Sequence, residues 1–319
     1  MAGSRNNLDK KFMRRALQLA GNGEGRVSPN PMVGAVIAHG DRVIGEGFHA
    51  FYGGPHAEVN AIRSVNPKDR DLLKNSTLYV TLEPCAHHGK TPPCANLIVE
   101  TGIPKVVIGS PDPNPLVAGK GVEILKNAGI DVKSGILREE CDALNKRFIT
   151  AHTLKRPWII LKWAQSADGF MAEINDEGEK VPVKFSTLLS SVFMHRERAS
   201  CDAILVGKNT ELTDHPLLNV RLWGGNSPKK FVAYDKTDIK EFTQQLFSEG
   251  ISSLMVEGGA KMLESFIMEN LFDEIRIEIS PKVLGKGLKA PKLPDNIRLK
   301  ETKHIDGNLI EIYGKAPIQ

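Results

Sequence analysis

At 319 residues, 41% hydrophobic and 25% charged, the chain is long enough for two globular domains and too evenly mixed to be disordered, fibrous or a repeat array. Its 42 lysines and arginines against 38 acids give a net charge of +4 with no basic block; with only 6% aromatics, this suits an anionic small molecule and argues against a nucleic-acid partner. Nowhere do about 18 apolar residues run together, so neither a membrane span nor a membrane partner is expected.

The start, MAGSRNNLDKKFMRRALQLA, reads as an amphipathic helix rather than an export signal. Four cysteines in the whole chain then point to a reducing, cytoplasmic compartment, where close cysteines more often bind metal or do chemistry than form disulfides. MVGAVIA and DRVIGEGF predict a strand pair joined around Gly40. HAEVNAIRSV predicts a helix with Pro55 just ahead of it. STLYVTL reads as a strand, and CANLIVETG as a helix stopped by Gly102. KVVIGS, GKGVEILKNAG and IDVKSGI give strand, helix and strand, and REECDALNKRFITAHTLKR a polar helix leading to Pro157. Strands alternating with helices predict an α/β fold with its sheet covered on both faces.

A second alternation follows. PWIILKWAQSADG and CDAILVG read as strands around a helix at SSVFMHRERAS. SSLMVEGG is a strand into a glycine turn, AKMLESFIMEN a helix, and FDEIRIEISP and NLIEIYG strands. The expected division is 1–150 and 151–319.

The chemistry concentrates first at EPCAHHGKTPPC. Cys85 follows a strand and Cys94 opens a helix, where the positive end of the dipole favours a thiolate. His56 and Glu58 stand at another helix start. Taken singly, His-Ala-Glu is an ordinary helix start, and two cysteines this far apart are commonly unrelated. Together, His56, Cys85 and Cys94 form a three-ligand zinc set with an open fourth position, the arrangement of catalytic rather than structural zinc. Glu58, two residues from His56, is better placed to take and return a proton than to be a ligand. The pattern matches the zinc-deaminase signature, H-x-E followed by P-C-x-x-C, except that eight residues separate these cysteines. Cys141 and Cys201 read as packing residues.

The longer gap, with SPNPMVGAVI, GGPHAEVNAI, TLEPCAHHGKTPPC and DPNPLVAGKG, resembles the deaminase half of the bifunctional riboflavin-biosynthesis deaminase/reductase family. That resemblance implies a cytidine-deaminase-like first domain acting on a phosphorylated pyrimidine, with Asn30, His49, His87, Lys90, Asp112 and Asn114 lining the substrate pocket. Lys90 suits an anion as a mobile point charge. Each has an ordinary alternative, since Asn30 and Asn114 sit in proline-rich turns where asparagine is common.

In the second half, MVEGGAKMLESF predicts a strand, a Gly-Gly turn and a helix whose first N–H groups could hold phosphate. It is not the G-x-G-x-x-G fingerprint, so a Rossmann domain is not indicated. LKWAQSADGFMA, RASCDAILVGKNTELTDHPLLNVR and LMVEGGAKML resemble the reductase half of the same family, which is similar to dihydrofolate reductase and uses NADPH. The resemblance implies that Ala164, Thr210, Asp214, Gly258, Gly259, Ala260 and Lys261 meet NADPH. It also implies that Arg198, Leu218, Arg221 and Glu257 meet substrate, and that the second domain forms a homodimer. Asp168-Gly169 reads as a hairpin turn. Pro182 and Lys184 stand where many relatives carry Ser and Trp, and the interval GGNSPKKFVAYDKTDIKEF is short for the family. The rival reading, a tRNA-type deaminase with an appended non-reducing binding domain, calls for concentrated basic and aromatic residues that this chain lacks.

Overall fold

The computed structural model describes residues 2–86, 92–114, 118–234 and 237–315. The chain divides into two compact units, Met1–Leu154 and Lys155–Gln319. Residues 151–154, which end the helix Lys146–Leu154, lie with the first unit.

The first unit runs α1 (Ala2–Gly21), β1 (Gly34–His39), β2 (Arg42–Phe48), α2 (Ala57–Ser64), a 3-10 helix (Pro67–Asn75), β3 (Thr77–Leu82), α3 (Cys94–Thr101), β4 (Lys105–Ser110), α4 (Lys120–Asn127), β5 (Asp131–Ser134), α5 (Arg138–Leu144) and α6 (Lys146–Leu154). Its sheet has the order β2-β1-β3-β4-β5; β1 is antiparallel to β2 and β3, and β3, β4 and β5 are parallel. The carboxyl ends of β2, β3 and β4 therefore share one edge with the start of β1. Side chains alternate across the sheet: Leu78 and Val80 pack with Ala57, Ala61, Ile98 and Leu125, while Tyr79 packs with Phe12, Met13 and Ala16 on the other face. Burial on both faces explains why these strands read as near-continuous apolar runs.

Gly47 sets how closely α2 approaches β2, since a Cβ there would fall 2.3 Å from the backbone N of Ala61. Gly102, with φ of 76°, ends α3 as expected. The single polar helix expected after residue 137 is instead two, α5 and α6, interrupted at Asn145. The reason is a competing bond pair: the Asn145 side chain accepts from the N–H of Met32 at 2.8 Å and donates to its carbonyl at 2.9 Å.

The second unit runs β6 (Trp158–Gln165), β7 (Phe170–Ile174), β8 (Lys180–Val181), α7 (Leu188–Ala199), β9 (Ala203–Gly207), α8 (Lys208–Asp214), β10 (Lys229–Ala233), α9 (Ile239–Ser248), β11 (Ser253–Val256), α10 (Ala260–Met268), β12 (Glu274–Ile279), β13 (Leu288–Lys289), β14 (Ile297–Ile305) and β15 (Asn308–Lys315). The main sheet has the order β10-β9-β11-β6-β12-β15-β14; β10 through β12 in that order are parallel, and β15 and β14 join antiparallel. A smaller sheet has the order β13-β7-β8. The short interval after residue 223 holds β10 and α9.

One face of the main sheet buries Ile159, Leu161 and Trp163 against Leu246 of α9 and Leu263 and Phe266 of α10. The other buries Ile160, Ile204 and Met255 against Met194 of α7. The helix α7 starts at a reciprocal cap, in which the Thr187 hydroxyl accepts from the Ser190 N–H and the Ser190 hydroxyl accepts from the Thr187 N–H. Asp168 accepts from the N–H groups of Leu284 and Gly285, a structural role in a turn as read from the sequence. Among the described residues no helix is long and apolar enough to cross a membrane.

Candidate active sites

In the first unit three elements end at one point on the sheet edge. His56 precedes the first turn of α2, Cys94 is the first residue of α3, and Cys85 lies just beyond β3. The prolines ahead of His56 and Cys94 hold the chain extended as it enters each helix. His56 Nδ1 lies 3.5 Å from Cys85 Sγ and 3.3 Å from Cys94 Sγ, and one ligand atom from each residue falls within 4.8 Å of the others. Tetrahedral zinc, with bonds of about 2.3 Å to sulfur and about 2.0–2.1 Å to nitrogen, separates such atoms by about 3.6 Å. The donor set also fits a cation electrostatically. The Cys94 thiol, followed by His56, holds the Cys85 thiol below its ordinary range, while the Cys85 sulfur and burial push Cys94 up. A divalent ion takes both sulfurs as thiolates and relieves that competition. His56, Cys85 and Cys94 thus form a site that fits zinc with three protein ligands.

Glu58, in the first turn of α2, is 3% exposed. Burial, then the negative Cys85 sulfur, pushes its carboxyl up to about 7.

The expected substrate contacts divide by location. His49 is buried beside the His56, Cys85 and Cys94 cluster, its ring centroid 5.6 Å from that of His56. Its Nδ1 faces the Pro55 carbonyl at 3.0 Å and its Nε2 faces Asn30 Nδ2 at 3.1 Å. The carbonyl accepts from Nδ1, so Nε2 is left to accept from the Asn30 amide, and burial lowers the pKa of the ring. Asp112 and Asn114 lie beyond β4, with Asp112 Oδ1 accepting from the Asn114 N–H at 2.8 Å. His87 and Lys90, with His88, lie outside the described residues.

Sequence reasoning passed over Glu83. Its carboxylate, 6% exposed, accepts from the N–H groups of Asp112 (3.3 Å) and Gly119 (3.1 Å) through Oε2. Through Oε1 it accepts from Gly121 (3.1 Å) and Val122 (3.4 Å). It ties the loop bearing Asp112 to the segment bearing Cys85. A glutamate ending an apolar strand was its only signal.

In the second unit Ala164, Thr210, Glu257 and the turn 258–261 lie at or just past the carboxyl ends of β6, β9 and β11, where open α/β sheets place their ligands. Thr210, in α8, accepts from the Gly259 N–H at 3.1 Å, joining the turn 258–261 to the segment after β9. A Cβ on Gly258 would lie 2.9 Å from Met262 Cβ and one on Gly259 3.3 Å from Thr210 Oγ1, so the glycines keep open a cradle of backbone at the start of α10. Ala260 is buried and Lys261 exposed. Ala164 is half-buried near the end of β6, opposite Glu278. Asp214 sits apart from this turn's bonds and holds Lys180 Nζ at 3.2 Å.

Arg198 and Glu257, both expected to meet substrate, are bonded to each other through both guanidinium and carboxylate arms, at 2.7 and 2.8 Å. Leu218, expected at the substrate, turns its side chain into the core with Met194, Val206 and Met255. Arg221 is exposed, with Nη1 donating to Asn219 Oδ1 at 2.9 Å. Two residues were missed. Lys162 is buried and lies 4.0 Å from Glu278, its signal being a lysine inside the apolar run WIILKWA. His195 is buried in α7.

The cytidine and deoxycytidylate deaminase zinc-binding region matches residues 6–110, and the RibD C-terminal domain matches residues 157–244 and 227–310. The riboflavin biosynthesis protein RibD of Aquifex aeolicus (strain VF5) is 37% identical over 330 residues, covering 90% of this chain and 90% of that protein. The protein of the same description from Escherichia coli (strain K12) is 31% identical over 367 residues, covering 93% and 96%. Among solved structures, the diaminohydroxyphosphoribosylaminopyrimidine deaminase/5-amino-6-(5-phosphoribosylamino)uracil reductase of Thermotoga maritima is 36% identical, with a TM-score of 0.86 over 98% of this chain and all (100%) of that one. Acinetobacter baumannii RibD, form 1, is 31% identical, with a TM-score of 0.89 over 98% and 99%.

Proposed function

The chain belongs to the RibD family of riboflavin-biosynthesis proteins, a bifunctional deaminase and reductase, and on that footing we propose which residues carry its two reactions. The first is hydrolytic deamination of 2,5-diamino-6-ribosylamino-4(3H)-pyrimidinone 5′-phosphate. The second is reduction of the ribosyl chain to ribityl with NADPH.

In the deaminase, His56, Cys85 and Cys94 hold zinc. When bound there, zinc supplies Lewis acidity sufficient to make water a nucleophile at neutral pH. Glu58, buried beside these ligands, would take a proton from the attacking water and return it to the departing amine. Asn30 and His49 form one wall, in which the neutral imidazole and the amide order each other. Asp112 and Asn114 form another wall on the loop that Glu83 holds. His87 and Lys90 are assigned to the substrate by family likeness, Lys90 to its phosphate.

In the reductase, NADPH supplies the hydride. The glycine cradle and Thr210 receive its phosphates, with Ala164 and Asp214 as further contacts. Arg221 meets the substrate phosphate, Glu257 and Arg198 form a fixed charged wall, and Leu218 contributes through its backbone. Much of the rate would then come from these residues orienting the substrate and the cofactor. A homodimer through the second unit belongs to this reading.

The observation that carries the reading is the convergence of the His56, Cys85 and Cys94 ligand atoms within 4.8 Å beside a buried Glu58. Incubation with the diaminopyrimidine phosphate, with and without NADPH, followed by mass spectrometry, tests it. Exchange of an amine for oxygen without NADPH, then a gain of two hydrogens with it, is the expected result. Absence of the first product overturns the deaminase assignment, and absence of the second overturns the reductase assignment.

A further inference from the structure

His195 sits in the middle of α7 with its ring buried. Its Nδ1 lies 3.0 Å from the backbone N of Arg221 and 3.4 Å from that of Leu222. A backbone N–H can only donate, so Nδ1 accepts and the ring proton resides on Nε2. Burial, then the charges of Arg198 and Arg221, lowers the pKa of the ring against the opposing pull of Glu257, which keeps this acceptor available. The same loop is anchored a second time. Leu218, with φ of 49°, drives its side chain between Met194 and the sheet.

The loop is thus fastened to α7 by an apolar plug at 218 and by paired N–H bonds at 221 and 222. One turn further along α7, Arg198 is committed to Glu257. Arg221 differs: its backbone is held while its side chain stays exposed. An arginine carried on a loose loop loses ordering entropy when it meets an anion; one whose backbone is already fixed loses less.

We propose that His195 is a positioning residue for the reductase, a neutral acceptor that fixes the Arg221 backbone so that the guanidinium is presented to the substrate phosphate. This inference rests on the reading of Arg221 as a phosphate contact. It commits His195 to substrate affinity rather than to hydride transfer.

The test uses the full chain and 5-amino-6-(5-phosphoribosylamino)uracil with NADPH. The variants are His195→Phe, His195→Asn, Arg221→Ala and the double variant His195→Phe/Arg221→Ala. Phenylalanine keeps the ring and removes the acceptor. Asparagine hangs an oxygen from the same Cγ that carries Nδ1. Amide hydrogen exchange over residues 219–223 reads the bonds directly. The expected result is that His195→Phe raises KM about three- to tenfold, the effect of losing a hydrogen bond or two, with kcat within about twofold. His195→Asn brings KM back, the double variant is no worse than Arg221→Ala alone, and exchange at 221 and 222 accelerates only in the phenylalanine variants. Unchanged KM in His195→Phe, while Arg221→Ala raises it, overturns the proposal; so does failure of asparagine to restore it. If Arg221→Ala itself leaves KM unchanged, the reading of Arg221 falls and the proposal with it. Should His195→Phe not fold, His195→Ala takes its place in every comparison.

Discussion

Arg198 and Glu257, 59 positions apart, meet in two parallel bonds, Nε to Oε1 at 2.7 Å and Nη2 to Oε2 at 2.8 Å, both side chains nearly out of solvent. Burial alone would push the Glu257 carboxyl up; the Arg198 guanidinium, then the charge of Lys162, reverses this and holds it below the usual carboxylate range. The folded value therefore lies under the unfolded glutamate value of about 4.3. The stability it contributes is complete above that value and drains away as pH falls through the folded one. Unfolding of the second unit, followed by denaturant from about pH 6 down to about pH 3, should show this acid-side loss, reduced in Glu257→Gln. Equal slopes in both proteins would refute the assignment. Arg198→Ala, which strands a buried carboxylate, should cost about 3–5 kcal/mol.

Glu58→Gln removes the proposed proton carrier while keeping the size of the side chain. Deamination should fall by about 10²–10⁴-fold, with zinc still near one per chain by metal analysis and the NADPH reaction untouched. Activity surviving this change would mean that the proton moves by another route.

Metal removal should separate the two activities. Chelation with dipicolinate is expected to abolish deamination and spare reduction, and added zinc should restore the first. Cys94→Ser should lower bound zinc below one per chain, whereas Cys141→Ser should not. Burial, then the nearby Asp142 and Glu140 charges, pushes the Cys141 thiol up to about 12, so iodoacetamide at about pH 8 should leave Cys141 unlabelled in the native protein. Rapid labelling there would contradict the packing role.

Gly121 is the second residue of α4, where helix propensity alone favours alanine, by at most the roughly 1 kcal/mol of a helix interior. A Cβ at that position would fall 2.0 Å from the carbonyl oxygen of Pro84, which is backbone and cannot swing aside. The clash is expected to win. Gly121→Ala should lower the melting temperature of the first unit and weaken deamination, since the Gly121 N–H is also one of those held by Glu83. A raised melting temperature would show that the helix has room to shift.

How far these features were legible depends on how local their cause is. The candidate zinc ligands were readable because few residue types bind zinc, and because helix starts mark Cys94 and the residue after His56 within a few positions. The cradle at Gly258–Gly259 was readable as a turn. The bond between Arg198 and Glu257 was not, since it depends on how α7 lies across the end of β11. Glu83 looks like any strand-end glutamate until the amides of residues 112, 119, 121 and 122 arrive 29 to 39 positions later. The edge strand β14 escaped notice because most of its residues are exposed and carry no apolar alternation. The break between α5 and α6 was hidden for the converse reason: both halves have helical character, and only Met32, 113 positions upstream, marks where they part.

That last clasp bears on how the two halves can be separated by gene dissection. A fragment cut ahead of Asn145 would leave the peptide group of Met32 with neither its donor nor its acceptor, directly upstream of the strand on which the deaminase sheet is laid down. A soluble single-activity version of the first half should therefore keep α5 and α6 entire, through Leu154, and leave its partner to begin with the segment entering β6.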